Sequence, residues 1–299
     1  DLALVRLERV RNDYPGRDEL PLQLIRFYRD LGDHHRAHQE SLVRVSGDPL
    51  SPGPRVDLMH SLHMLGQTDA FAREAKLYFR DFGNDPAAVL LLARLGADLG
   101  IVHLTQSTSA RADGLRVIKA PFQISEIEAL INAERYAEAR TMADALQADY
   151  SPQTPAGRLI AGWRAVAAFA TRDEANGEVL LQTFIADPAL RGPEAISMAE
   201  PLERVGAAGA ARRLLAAIVQ RQPDNQSAVT RLIRLDTAAR NLAGLEEHLP
   251  RLLAMRKPSR AVLQEAFAVL DDATPTRAEL RRTIAEAVTR LTATPEPTS

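Results

Sequence analysis

Three glycines spaced 34 residues apart constrain the fold of this chain more than any other feature. Gly32, Gly66 and Gly100 each follow an apolar stretch with helical spacing, and Gly206 returns in a similar local sequence after a longer, irregular interval. A period near 34 residues is typical of arrays in which each repeat is a helical hairpin. Such arrays bury a continuous core between neighbouring repeats and present long surfaces rather than one deep pocket.

The residues around these glycines have simple physical roles. Glycine adopts the left-handed conformation that ends a helix at low cost. Small residues such as Ala37, Ala139 and Ala211 let the second helix of a hairpin approach the first. Apolar residues at helical spacing predict the buried stripe of the first clear repeat, namely Leu22, Ile25, Phe27 and Leu31. Prolines cannot continue a helix and therefore close the repeats, at Pro15, Pro49, Pro86, Pro152, Pro188, Pro223 and Pro258.

This pattern predicts an all-α fold, a right-handed superhelix of about eight helical hairpins. The first helices of the hairpins are predicted near 18–31, 54–66, 86–99, 121–133, 155–170, 193–206, 225–239 and 259–271. The second helices are predicted near 34–46, 69–82, 101–111, 135–149, 174–186, 209–222, 242–256 and 276–292. A further second helix at 1–12 lacks its partner, so we expect the chain to be a fragment of a longer protein or a processed chain.

We divide the chain into N-terminal repeats at 1–112, C-terminal repeats at 113–292 and a flexible polar tail at 293–299. The division falls where the pattern is weakest, in residues 101–120. The run TQSTS is a poor helix interior because serine and threonine compete for backbone hydrogen bonds. A shortened helix with a longer loop is one interpretation of this segment, and a functional insertion lining the binding surface is the other.

The motif ERYAEA, with Tyr136 and Ala139 and followed by Pro152, resembles the tetratricopeptide repeat. The resemblance extends from Asp1 to about Leu291, although the early tryptophan of that family is not seen. It implies a scaffold without catalytic activity that holds an extended or helical peptide of a partner protein in a concave groove.

The repeat register suggests which side chains would line this groove. The predicted cationic part consists of Arg26, Arg29, His60, His63 and Arg94. Glu128, Glu200 and Glu203 take the same positions with the opposite sign. A groove that is positive at one end and negative at the other would orient a partner chain. The alternative is that these residues are solvated charges on the polar faces of the helices.

Histidines concentrate in the first repeats, and they carry a second hypothesis. His34 and His38 lie four residues apart on one predicted helix, and His60 and His63 lie three apart on the next. Both spacings place a pair on one helical face, so a metal site of four imidazoles is conceivable. The alternative is that they are surface or packing residues, and we predict no metal.

Nothing in the sequence predicts catalysis or a cofactor. The chain has no cysteine, which excludes thiol chemistry, and it has no glycine-rich phosphate loop or nucleophile-elbow motif. Adjacent carboxylates such as Asp271 and Asp272 diverge on a helix and do not form an acid/base pair. The single tryptophan, Trp163, is predicted to pack between helices.

The charge pattern bounds the choice of partner. A net charge of −2 argues against general affinity for nucleic acids, although residues 201–260 are locally basic. The longest apolar run is too short to span a membrane. We therefore predict a protein or peptide partner, for a segment of a larger bacterial envelope or assembly protein in the periplasm or the cytoplasm, with the periplasm favoured. An alternative is a self-associating or spacer module of an exopolysaccharide-export or outer-membrane assembly system, forming a homo-oligomer through helices 1–12 or 276–292.

Overall fold

The computed structural model describes residues 7, 9–10, 19–256 and 258–293. Within them the chain forms sixteen α-helices and no strand. The helices are Glu19–Asp30 (α1), His34–Gly47 (α2), Pro52–Met64 (α3), Thr68–Phe82 (α4), Pro86–Asp98 (α5), Val102–Leu115 (α6), Ala120–Asn132 (α7), Tyr136–Asp149 (α8), Pro155–Ala170 (α9), Glu174–Ala186 (α10), Gly192–Arg204 (α11), Ala208–Arg221 (α12), Gln226–Ala238 (α13), Leu242–Ala254 (α14), Arg260–Val269 (α15) and Pro275–Ala293 (α16).

The helices form eight consecutive hairpins, in which each odd-numbered helix, here called an A helix, is followed by an even-numbered B helix. The predicted all-α array of about eight helical hairpins is therefore confirmed, and the helices lie within a few residues of the predicted positions. The helix predicted at 1–12 falls mostly outside the described residues. Of that segment, Leu7 is helical and packs against Leu24, Tyr28 and Ala37.

The 34-residue period is more regular in the structure than in the sequence. Between A and B helices, residues 32, 66, 100, 134, 172, 206 and 240 all have positive φ angles, from 49 to 85°. The spacing is 34 residues throughout, except for 38 between Glu134 and Arg172. At each of these turns the next residue donates its N–H to the carbonyl five residues back, as Asp33 does to Tyr28 and Asn241 to Asp236, both at 2.8 Å. This pattern closes a helix in the left-handed conformation, so the apparently irregular middle of the chain keeps the same turn.

Small residues bring the two helices of a hairpin together as predicted. Ala37, Ala139 and Ala211 are fully buried, and Trp163 packs in the core with 2% of its surface exposed. One member of the predicted stripe is wrong: Leu31 is 51% exposed. It follows the last residue of α1 and lies in the turn. The buried side of α1 is formed by Leu24, Ile25 and Tyr28.

Residues 102–115 form a full-length helix, so the shortened helix predicted at 101–111 is wrong. Thr105 and Thr108 are buried, and their hydroxyls donate to the carbonyl oxygens of Val102 and Thr105 at 2.8 and 2.7 Å. These bonds within the helix satisfy the hydroxyls that make such residues poor helix formers. The connection to α7 is reduced to residues 116–119, and the segment is a regular B helix rather than an insertion.

The chain divides into two compact units, 1–139 and 140–299. The division falls within α8, while the predicted boundary at 112/113 lies within α6; separate behaviour of 1–112 and 113–292 stays a prediction. In unit 1, α5 packs against both α3 and α7. In unit 2, α9, α11, α13 and α15 pack in series. Neighbouring A helices thus bring equivalent residues of successive hairpins side by side within each unit.

Candidate functional site

One position on the A helices, six residues before the left-handed turn residue, carries an ionisable side chain in most hairpins. In unit 1 it is occupied by Arg26, His60, Arg94 and Glu128. Arg26 and Arg94 are exposed and form no ion pair with another described residue, while His60 and Glu128 are half-buried. Because α3, α5 and α7 pack in series, His60, Arg94 and Glu128 lie at equivalent positions of neighbouring helices. A groove lined by these residues stays a prediction.

Asp57 on α3 binds two guanidinium groups from the preceding hairpin. Arg29 Nη2 donates to the Asp57 carboxylate oxygen Oδ1 at 3.2 Å and to the Asp57 carbonyl oxygen at 3.0 Å. Arg44 from α2 donates to the other carboxylate oxygen, Oδ2. All three side chains are mostly buried. Arg29, predicted to face a partner, is thus held in a bridge between hairpins. The two guanidinium groups nevertheless exceed the single carboxylate, so the cluster keeps a net positive charge.

His60 lies beside this bridge and does not share its charge. Its Nδ1 atom is buried and has no hydrogen-bond partner among the described residues, and the same holds for His34 Nδ1. Burial, reinforced by the positive charge of Arg29 and by His34 and His63, lowers the pKa of His60 to about 4. The imidazole is therefore neutral at pH 7, and the positive charge of the predicted patch comes from its arginines.

The remaining histidines of the cluster make ordinary contacts. His63 is exposed, and its ring meets the edge of the Phe71 ring with centroids 6.0 Å apart. His38 Nδ1 lies 3.4 Å from the hydroxyl of Ser61. Across the part of the chain that the structure describes, no group of three or more histidine, aspartate or glutamate residues is arranged to hold a metal ion. The geometry thus gives no support to a site of four imidazoles.

In unit 2 the predicted acidic residues lie against arginines. Arg231 on α13 donates from Nε to Glu203 Oε1 at 2.8 Å and from Nη1 to Glu200 Oε2 at 3.4 Å. Arg204 also donates to Glu200, at 3.3 Å. Glu200 and Glu203 therefore belong to a network of both charges rather than to an isolated negative surface. The arginines reduce the net negative charge that the sequence predicted for these positions.

The Glu200–Arg231 network borders a cleft of about 1060 Å³ between α11 and α13. Ile196 and Leu235 contribute apolar surface, and Arg234 lies on the rim, where its Nε is 3.6 Å from Glu265. Its other lining residues are Glu200, Glu203, Arg204, Gln226, Ser227, Thr230, Arg231, Ala238 and Ser259. An open cleft with an apolar floor and ionic walls suits a peptide side chain or a short helix better than a buried small molecule.

The ion pairs of the two units occupy equivalent positions with exchanged charges. Arg29 and Glu203 each lie three residues before a left-handed turn residue. Asp57 and Arg231 each lie nine residues before the next one. The same bridge between A helices is thus made by Arg29 with Asp57 in unit 1 and by Glu203 with Arg231 in unit 2. The repeat determines where the ion pair lies, and the sequence of each unit determines which helix carries the arginine and which the carboxylate.

The basic segment 201–260 does not form a free cationic surface. Most of its arginines make ion pairs with carboxylates of the same unit: Arg204, Arg212, Arg213, Arg231, Arg234 and Arg251. Nucleic-acid binding through phosphates needs basic side chains that can release counterions. The pairing of these arginines favours a solvated ionic face.

A buried carboxylate, Asp236, closes the seventh hairpin. It is fully buried; its Oδ1 accepts from Asn241 Nδ2 at 2.6 Å, and its Oδ2 lies 3.9 Å from His248 Nε2. Burial raises the pKa of Asp236 and lowers that of the buried His248. Gly244 makes room for this group, because a Cβ there would lie 2.5 Å from Asp236 Oδ2. Arg212 of the preceding hairpin also lies 3.7 Å from Asp236 Oδ1, so the buried carboxylate joins groups of two neighbouring hairpins.

The sequence analysis missed Asp57, Arg231 and Arg234, which decide the charge balance of both units. Counting back from the turns would have found them. Asp57 lies nine residues before Gly66, while Arg231 and Arg234 lie nine and six residues before Arg240. No glycine marks the turn at Arg240, so the sequence offers no fixed residue from which to count back to Arg231 and Arg234. In unit 1, Gly66 provides that residue for Asp57.

Two features bear on other predicted interactions. None of the described helices is both long and apolar enough to cross a membrane. The last helix, α16, exposes a polar face that includes Glu279, Arg282, Glu286 and Arg290. Stacking of a second copy on 276–292 would have to bury these charges, so the exposed face of this helix does not favour the predicted homo-oligomer.

Comparison with known proteins adds little to this geometry. No protein-family model and no curated protein sequence matches the chain. Among solved structures, it is similar to the TPR domain of P58(IPK), with 10% identity, 93% of this chain and 99% of that chain covered, and a TM-score of 0.26. It is also similar to a chain of the Naa15/Naa10 complex bound to HypK, with 12% identity, 92% and 46% covered, and a TM-score of 0.31. At these scores the likenesses carry no argument, and the assignment of the fold depends on the eight hairpins themselves.

Proposed function

We propose that this chain is a non-catalytic scaffold that binds a peptide or helix of a partner protein along its A helices. The observation that carries the proposal is the ionisable side chain six residues before six of the seven left-handed turns, at Arg26, His60, Arg94, Glu128, Glu200 and Arg234; the exception is the buried Val166. A side chain that recurs in register on a packed array forms a linear row, and a row can recognise an extended or helical segment.

The two units would contact different parts of such a segment. In unit 1, the exposed Arg26 and Arg94 flank the Arg29–Asp57 bridge and suit carboxylates, because a guanidinium presents a fork of donors to them. In unit 2, the cleft beside Arg231 and Arg234 suits a segment with both apolar and ionic side chains. The predicted contact residues are Arg26, Arg29, His60, His63, Arg94, Glu128, Glu200 and Glu203. A place in a larger bacterial envelope or assembly protein stays a prediction.

The test compares two double charge reversals of equal size. The chain and the variant R26E/R94E are immobilised and exposed to lysate of the source cell, and captured proteins are identified by mass spectrometry. The matched control is R73E/K76E, which reverses two exposed charges on the B helix α4. Circular dichroism and thermal unfolding verify that all three proteins fold alike.

We expect R26E/R94E to lose a partner that the chain and R73E/K76E both retain. Equal capture by the chain and R26E/R94E would refute binding at the A-helix row of unit 1. Loss on R73E/K76E alone would move the binding surface to the B helices.

A further inference from the structure

His60 is the neutral centre of a cationic cluster in unit 1. Arg29 on α1, His34 on α2 and His63 on α3 act on His60 directly. Arg29 in turn lies close to Asp57 and to the positive charges of Arg26 and Arg44. At neutral pH this is three guanidinium groups against one carboxylate, with three imidazoles. The cluster therefore has an excess of positive charge before His60 takes up a proton.

The buried face of the cluster also has unused hydrogen-bonding capacity. The Nδ1 atoms of His60 and His34 and the Nε of Arg29 are buried without a partner among the described residues. Buried polar atoms without partners are costly. His60 is only half-buried, so an anion on the A-helix surface would sit close enough to change its charge state.

From this arrangement we infer that an acidic segment of the partner and a proton on His60 bind to unit 1 together, so that acidification strengthens the complex. The inference rests on the proposed function. Carboxylates placed beside Arg26 and Arg29 would offset the positive charge that, together with burial, keeps His60 neutral. The imidazolium of His60 would then attract the carboxylates as well. By linkage, the bound acidic segment would favour protonation of His60, and protonation of His60 would favour binding of the segment.

The size of the effect follows from the two ends of the equilibrium. Full restoration of the ordinary imidazole pKa of about 6.5 would tighten binding roughly tenfold between pH 7.5 and pH 5.5. This is the upper bound, because burial is the largest cause of the lowered pKa and persists in the complex. Partial restoration gives a smaller gain. Aspartate side chains have pKa values near 3.9 and stay ionised over this range, so a peptide of aspartates reports on the protein rather than on itself.

The experiment uses the full chain and a fluorescent peptide of six aspartates with blocked termini. Binding is measured by anisotropy at pH 7.5, 6.5 and 5.5 and constant ionic strength, for the chain, for H60Q and for H103Q. His103 is exposed on the B helix α6, so H103Q is the matched control. Circular dichroism verifies the helix content of each variant at each pH.

We expect the chain and H103Q to bind the peptide up to about tenfold more tightly at pH 5.5 than at pH 7.5, and H60Q to lose most of this gain. An equal pH dependence in H60Q, or none in the chain, would overturn the inference while leaving the proposed function intact. Absence of binding by the chain at every pH would overturn the acidic-segment site and the inference with it.

A second measurement does not depend on any variant folding. The imidazole signals of His60 are followed by NMR during a pH titration of the chain, with and without the peptide. The midpoint of His60 should rise by a pH unit or more when the peptide is bound. A midpoint that stays in place with saturating peptide would also refute the inference.

Discussion

The turns between A and B helices allow a quantitative test of what sets the 34-residue period. Four of the seven left-handed positions hold glycine, but Glu134, Arg172 and Arg240 hold residues with side chains. For an L-residue this conformation costs about 1–2 kcal/mol, while glycine costs about 0.5–1 kcal/mol of extra backbone entropy on folding. Exchange for glycine should therefore stabilise each of these three turns.

The helix dipole ranks the three sites. Each residue follows the C-terminus of an A helix, where a positive charge is favourable and a negative one unfavourable by about 0.3–1 kcal/mol. All three side chains are exposed, so their removal costs little packing. We expect E134G to stabilise by about 1 kcal/mol, because it relieves both the strained conformation and the unfavourable charge. R172G and R240G should gain less than half of that, because each also loses a favourable charge.

Urea unfolding followed by circular dichroism measures the change, and a thermal melt should show a rise of about 2–4 °C for E134G. E134A separates the two causes, since it removes the charge and keeps the strain. G206A is the reverse control: a Cβ at Gly206 would meet no atom within 4 Å, so its destabilisation reports the conformation alone. If E134G is no more stable than E134A, the left-handed conformation carries no cost and the reasoning fails.

Three further predictions concern the ionic groups. A double-mutant cycle of E203A and R231A should give a coupling energy of about 0.5–1 kcal/mol that decreases in 0.5 M salt. A coupling energy of zero would mean that the ion pair does not stabilise the fold. The pKa of His60 is lowered in the folded state, so the unfolded chain takes up the proton at a higher pH and the free energy of unfolding should fall as the pH drops from about 6.5 to 4. The loss should be about 1–2 kcal/mol after allowance for solvent screening. Urea unfolding of H60Q over the same pH range should show a shallower decline. Burial raises the pKa of Asp236, so its contribution to the free energy of unfolding is lost as the pH rises through the folded-state pKa. D236N keeps an oxygen that can accept from Asn241 Nδ2, and it should melt at a higher temperature than the parent chain at pH 8. A difference in melting temperature that is equally large at pH 4 would contradict this.

The hairpins were predictable because their signals are local. Gly32, Gly66 and Gly100 mark turns that need a left-handed residue, and the prolines that follow the B helices cannot continue them. The small residues at Ala37 and Ala139 identify where helices approach. Each signal lies within a few residues of the structure it specifies, so no knowledge of distant contacts was needed.

The segment 102–115 shows where local reasoning fails. The poor helix propensity of the run TQSTS led to a predicted helix that ends at 111. Burial of Thr105 and Thr108 and their hydroxyl bonds to the preceding turn stabilise a helix that continues to Leu115. The turns at Glu134 and Arg172 were predicted, but their left-handed conformation was not. The surrounding helices impose it on two residues that are not glycine.

The sequence by itself determined that the chain is an array of helical hairpins, where each hairpin begins and ends, and which position on the A helices carries ionisable groups. Only the tertiary structure decided that Arg29 is held by Asp57, that Arg231 offsets Glu200 and Glu203, and that His60 is neutral. The reason is that period and turn chemistry act between residues close in the chain. Charge state and pairing depend instead on burial and on distances between residues about 30 positions apart, which exist only after the hairpins have packed.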